Sequence, residues 1–341
     1  MIKSRRFQIG FIYFLSVVSL LAVRILFSAG VFGNLSSDSS SRVFTVLVQT
    51  VCMGVIPVLG FLALVKSEKK NPMKELVLGF GFSKRVSREN WLRTILIGFI
   101  MMFTATFVAN IWNNVLGWFG YKPSVSTPTN YYDIGVLFVE ILMVAVYPAV
   151  FEEITHRGFL FAGYRKDLGV KVVFLTAMLF ALMHQNIRQT GYTFYDGIIM
   201  GLAVYYTGSI YPAMLIHFMN NLGVVLGEYA AQNGGIYRLV NIMYNVLLGT
   251  PLGKGVYFVL AIIALCCLVA LFAGMRKSTR RLIKIKLFDA DIWVNENFDL
   301  ARDVYGKKPK KHTLGDDIFL YAAIFLGVVS TLFTFVWGIL R

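Results

Sequence analysis

The sequence predicts an all-α, polytopic integral membrane protein of about eight or nine transmembrane helices. Three observations carry that prediction. First, 57% of the 341 residues are hydrophobic and only 15% are charged, whereas soluble domains carry roughly 25% charged residues. Second, the apolar residues fall into long runs of the length a bilayer needs, about 20 residues each. Third, the charges sit in blocks between those runs. The formal net charge is +15, with 33 Lys and Arg against 18 Asp and Glu. A nucleic-acid binder gathers its basic residues into a patch on a soluble surface; blocks between apolar runs exclude that class. A disordered chain, a coiled coil and a disulfide-rich secreted domain are excluded on the same grounds.

Taken in order, nine stretches qualify: Phe7–Gly33, Val43–Val65, Thr94–Trp118, Asp133–Gly163, Val172–Ile187, Phe194–Ile210, Pro212–Ala231, Gly255–Met275 and Ile318–Leu340. The first has a basic flank but is too long, and lacks the small-residue cleavage site, of a signal peptide. The fourth is too long for a straight span, and Pro148 is the expected kink, because proline lacks a backbone donor. The fifth is short. Gly197 and Gly201 form a G-x-x-x-G pair that lets helices approach closely. Ile236 to Leu248 is too short to span and reads as an interfacial or partly buried helix. Arg276 to Asp317 is the largest polar piece, too small for its own core, and is expected on the membrane surface against anionic lipid.

Nine spans give a clear basic asymmetry: 26 of the 33 Lys and Arg fall on one side, 6 on the other, and Arg24 lies inside the first span. The positive-inside rule then places the N-terminus in the cytoplasm and the C-terminus outside. The expected location is an integral membrane position, in a bacterial cytoplasmic membrane. Cys52, Cys266 and Cys267 all lie in apolar stretches and read as small buried hydrophobes. No P-loop, dinucleotide fingerprint or internal repeat is present, and no nucleic-acid partner is expected.

Ionisable groups inside a membrane span are costly and are therefore functional candidates. Arg24, Glu140 and Asp196, each alone, read most simply as snorkelling, helix-pairing or boundary residues. A second group is clustered. Glu153 and Arg157 stand four apart, acid before base, the favourable order on a helix. Phe180 and His184 share that spacing, as do His217 and Asn221. Counting 1.5 Å per residue from the basic helix ends puts all of them in one layer, in the cytoplasmic half of the bilayer. A carboxylate or neutral imidazole takes a proton from water, and imidazole and amide groups donate to a developing oxyanion. These are parts for attacking a carbonyl with activated water. Glu153 is committed to Arg157, and Glu152, about 100° around the helix, is the expected base.

At these residues the sequence resembles the CPBP family, which holds type II CAAX prenyl proteases and bacteriocin-processing or immunity proteases. Its motif E-E-x-x-x-R is matched by Glu152, Glu153 and Arg157, with Gly158 following. F-x-x-x-H is matched by Phe180 and His184, and H-x-x-x-N by His217 and Asn221. The resemblance spans about Asp133 to Ala231. It implies an intramembrane endopeptidase whose site opens toward the cytoplasm. It also implies Glu152 and His184 as water activators and His217 with Asn221 as oxyanion stabilisers. The substrate would be a membrane-associated peptide or lipid-modified protein, and membrane lipid the other partner. The cofactor stays open between none and a divalent metal such as zinc, for which Glu152, His184 and His217 would be the ligands; the lack of an H-E-x-x-H helix leans toward the metal-free route. His156 occupies a variable motif position and is given no role. The expected organisation is a three-helix region 1–131, a four-helix protease core 132–232, an interfacial helix plus a span 233–275, a basic loop 276–317 and a final span 318–341. A transporter or proton relay is the rival membrane reading, but the halves show no hydropathy symmetry. A non-catalytic scaffold would have no need for buried charge.

Overall fold

The computed structural model describes residues 4–32, 37–123, 129–235, 237–279, 282–287, 290–295 and 313–340. Its helices are α1 (Arg5–Ser28), α2 (Ser39–Ser67), α3 (Pro72–Gly79), α4 (Arg88–Trp118), α5 (Ile134–Leu168), α6 (Lys171–Met183), α7 (Ile187–Thr207), α8 (Tyr211–Asn233), α9 (Tyr237–Gly249), α10 (Pro251–Thr279) and α11 (Ile318–Leu340). Six of them, α1, α2, α4, α5, α10 and the stretch Leu314–Leu340, are long and apolar enough to cross a membrane. The other three expected spans are helices too: α6 is apolar but only 13 residues long, and α7 and α8 are long but carry the polar residues of the site. Within the stretch expected to be interfacial, Tyr237–Gly249 forms α9, which packs between α8 and α10. One short hairpin interrupts the helical fold in the basic segment, where β1 (Leu282–Leu287) pairs antiparallel with β2 (Ala290–Asn295). The rest of that segment, 296–312 with its lysines, lies outside the described residues, so its expected seat on lipid does too.

The helix starts are written in the sequence. Ser4, Asn71, Ser87, Asp133 and Asn186 each accept a hydrogen bond from a backbone N–H two or three residues on, which satisfies donors that a helix start leaves free. The chain then runs back and forth between two faces. On one face, Arg6 forks onto Asp317 at 2.9 and 2.6 Å, Arg5 reaches Glu68 at 3.4 Å, and Phe82 meets Tyr211. This face gathers the ends rich in Lys and Arg. On the other, the Trp112 indole donates to the Ile187 carbonyl at 2.6 Å, Lys122 N–H to Gly338 at 2.9 Å, and Tyr131 N–H to Gln232 at 3.1 Å.

Without a hydrophobic drive between helices in lipid, small residues and close packing hold a bundle together. A Cβ at Gly197 would come within 2.8 Å of Ala177, and one at Gly201 within 3.0 Å of Val173. The G-x-x-x-G pair thus seats α7 directly on α6. One apolar core runs from Ile9 on α1 to Ala323 on α11 and includes Cys52.

Two local departures from the α-helix position the site. The helix α2 widens into π-helical turns over Val48–Val55, and α5 does so over Ile141–Val146 and Ile154–Leu160. Such turns mark functional segments of helices. Here they fall at Gln49, just before Pro148, and just after Glu153. The helix α6 stops short, at roughly 20 Å of rise. Gln185 takes a left-handed φ of 49°, and the chain turns there into α7.

Candidate active site

Glu152 and Glu153 sit side by side on α5 and point to different partners. Glu153 is fully buried. Its Oε1 accepts from Arg157 Nη1 at 2.8 Å and from His217 Nδ1 at 2.9 Å. Arg157 is also buried; its Nη2 donates to the Gly197 carbonyl at 3.0 Å, and its guanidinium lies 4.6 Å from the centre of the Phe180 ring. The expected i,i+4 pairing is therefore present, and it reaches out to tie α5 to α7 and α8. A buried ion pair of this kind holds a geometry more than it adds stability.

Glu152 faces a cavity instead. Its Oε1 accepts from Gln49 Nε2 at 2.6 Å, and its Oε2 lies 3.9 Å from His217 Nε2. Because a carboxylate only accepts, the proton on His217 is fixed on Nδ1 by Glu153, which leaves Nε2 turned toward Glu152. His184 is oriented in the same manner: its Nδ1 donates to the Phe180 carbonyl at 2.8 Å, leaving Nε2 free. Phe180 is the common shelf, with its ring centre 4.9 Å from that of His184, 5.2 Å from His156 and 5.8 Å from His217. His156, fully buried, donates from Nδ1 to the Glu152 carbonyl at 2.8 Å and wedges between Phe180 and Tyr13. It braces the site from behind.

Asn221 shows how Pro148 is used. Proline offers no N–H to the preceding turn. Asn221 Nδ2 donates at 2.9 Å to the carbonyl of Val144, four residues before it. One of its two amide hydrogens is thereby spent, and the second remains for the cavity. The structure thus gathers Glu152, Glu153, Arg157, His184, His217 and Asn221 from α5, the end of α6 and α8; Glu152, His184, His217 and Asn221 line a cavity of about 350 Å³ walled by α2, α4, α5, α6, α7 and α8.

Several neighbours were not expected there. Gln49 was a lone amide in an apolar stretch, and that was its only signal. Asp196, read as a boundary or pairing residue, lines the cavity; its Oδ2 accepts weakly from Asn220 at 3.4 Å, and its Oδ1 is buried without a partner. Arg24 does not snorkel. Its guanidinium donates to the carbonyls of His184 at 2.9 Å and Gln185 at 3.3 Å. It caps the C-terminal end of α6, whose carbonyls would otherwise lack partners in the bundle. Glu140 pairs with Arg42 at 3.0 Å and joins α5 to α2.

These contacts also move the layer. Arg24 stands roughly 28 Å up α1 from Arg5, and Gln49 about 27 Å up α2 from Ser67. The cavity extends from the reactive residues away from the basic face.

The fit to a metal can be judged from the donors. Of the three expected ligands, His217 has one nitrogen on Glu153, His184 has one on a carbonyl, and Glu152 has one oxygen on Gln49. Among the described residues no three His, Cys, Asp or Glu side chains gather to hold a metal ion. Each of the three keeps one atom free, as a metal ligand must, but they are not gathered closely enough in this structure to form a ligand set.

No curated protein and no solved structure matches the chain. Residues 134–223 match the family model described as Rce1-like, type II CAAX prenyl endopeptidase, a segment that contains all seven motif residues and most of the cavity wall. Over that segment, about a quarter of the chain, the sequence is similar to the type II CAAX-type proteases.

Proposed function

We propose that the protein is an intramembrane endopeptidase that hydrolyses a peptide bond of a membrane-associated peptide or protein. The observation that carries this reading is the 3.9 Å gap between Glu152 Oε2 and His217 Nε2 at the cavity wall, within a family of peptidases. The gap is too long for a direct hydrogen bond and suits a water shared by both. Glu152, held by Gln49, takes the proton of that water as general base. His184 presents its free Nε2 from the other side and helps to orient the nucleophile. The attacked carbonyl becomes an oxyanion, stabilised by the unspent amide hydrogen of Asn221 and by His217 when its Nε2 carries a proton. The proton on Glu152 then passes to the leaving amine, which closes the cycle with both peptide ends released. Glu153 and Arg157 touch no reacting atom; they fix the tautomer and the place of His217.

The test uses purified protein in detergent and a peptide library, with Glu152→Ala, His184→Ala and His217→Ala assayed singly. Each variant is expected to keep its fold and to lose about 10²- to 10⁴-fold in cleavage rate, the usual worth of general acid–base groups. Equal cleavage by wild type and variants, or a folded wild type that cleaves nothing, would end the peptidase reading.

A further inference from the structure

We infer that the substrate reaches the site from the membrane face opposite the basic one, so that the scissile bond belongs to a membrane-spanning or exported peptide and not to a tail in the cytoplasm. This deepens the peptidase reading and rests on it for what the cavity holds. The opening itself is argued from geometry.

Four of the wall helices carry the lining mainly from the reactive layer toward the same end. On α5 the lining runs from Glu152 through Pro148 to Val144, backward along the chain. On α8 it runs forward, from His217 through Asn221 to Val224. On α2 it runs from Gln49 back to Thr45, and on α7 from Met200 through Asp196 back to Gln189. Helices of opposite direction therefore agree: the cavity lies between the reactive layer and the face where α2, α5 and α7 begin and α8 ends. That is the face with few basic residues. An ion pair between Arg42 and Glu140, one turn beyond Thr45 and Val144, stands at the rim.

The other direction is closed. Toward the basic face the reactive layer is backed by Arg157, Phe159 and Leu160, each at most 1% exposed. Phe80 is pressed against Gly158 so closely that a Cβ there would come within 2.8 Å of its ring. A separate pocket of about 150 Å³ opens on the basic side between Lys84, Arg165 and Lys166. It touches Arg157 from behind and none of Glu152, His184 or His217. The pocket on the basic side thus holds none of the reactive groups; these line the 350 Å³ cavity and a neighbouring space of about 140 Å³ beside Arg24 and Gln49. With basic ends in the cytoplasm, the open side is extracytoplasmic. This is the reverse of the access that the family resemblance implies.

Thiol labelling decides the matter without any cleavage assay. In full-length protein with Cys52, Cys266 and Cys267 changed to Ala, single cysteines are placed at Thr45→Cys and Val224→Cys, and at Lys84→Cys as the marker of the basic face. Vesicles of both orientations are treated with a membrane-impermeant maleimide. The cavity cysteines are expected to label at least tenfold faster from the face opposite to the one that labels Lys84→Cys. Labelling from the same face as Lys84→Cys overturns the inference, as does labelling of the cavity positions from neither face. Opposite-face labelling in a protein that cleaves no peptide would sink the peptidase reading and leave the sidedness standing.

Discussion

The helices α7 and α8 and the helix α10 cross the bundle in different ways. The α10 stretch reaches a mean hydropathy of 3.0. It packs through one stripe, Tyr257, Ala261, Leu268, Phe272 and Met275, and turns Val256, Val259, Ile263 and Val269 outward. Helices α7 and α8 are not among the six most apolar, yet Asp196, Gly197, Met200, Ile216 and His217 are all buried. One helix is apolar because lipid surrounds it. The others are free to be polar because protein surrounds them, so their charges and carbonyls find partners inside the bundle. Apolarity therefore locates the wall of this protein, and its relative lack locates the site.

That contrast can be broken by substitution, and the largest effect is expected at its centre. Arg157→Ala leaves Glu153 buried without its cation and removes the link to Gly197. It should cost about 3–5 kcal/mol, the range for halving a buried ion pair, and show as loss of folded protein on heating in detergent. A variant as stable as wild type would mean that the bundle interior is wetter than its burial indicates. Next is Arg24→Ala, which uncaps α6 and frees the backbone that carries His184. Losing hydrogen bonds from a charged donor is worth about 1.5–3 kcal/mol. Here the sharper readout is cleavage: Arg24→Lys is expected to recover part of the rate, and an unchanged rate in Arg24→Ala would remove Arg24 as a positioning residue. The smallest effects separate the two regions directly. Gly197→Leu drives a side chain into Ala177 and should destabilise by about 1–3 kcal/mol or more, whereas Gly255→Leu on α10, where no atom lies within 4 Å of an added Cβ, should stay within about 0.5 kcal/mol. Equal melting shifts for the two would contradict the packing of α7 on α6.

Much of this architecture is legible in the sequence alone. Long apolar runs can only be helices in a bilayer, because each backbone group must find a partner within its own segment. All nine stretches, and α9 besides, are helical for that reason. The pairs Glu153–Arg157, Phe180–His184 and His217–Asn221 are legible on similar grounds: four residues is one helical turn, and groups so spaced share a face. What counting could not supply was depth and company. Arg24, Gln49 and Asp196 come from separate helices, and nothing in their own surroundings tells whether a polar side chain meets lipid, a helix end or a cavity.

The sequence by itself determined a helical bundle in a membrane, the basic asymmetry of its two faces and six of the residues at its polar centre, because hydropathy and helical period are local properties of the chain. Only the tertiary structure decided which carboxylate is tied to Arg157 and His217 and which is left facing the cavity. It alone decided that an arginine of the first helix caps the sixth, and on which side of the reactive layer the space lies. Those are relations between helices distant in sequence, set by how closely glycine lets them approach and by which buried groups must pair.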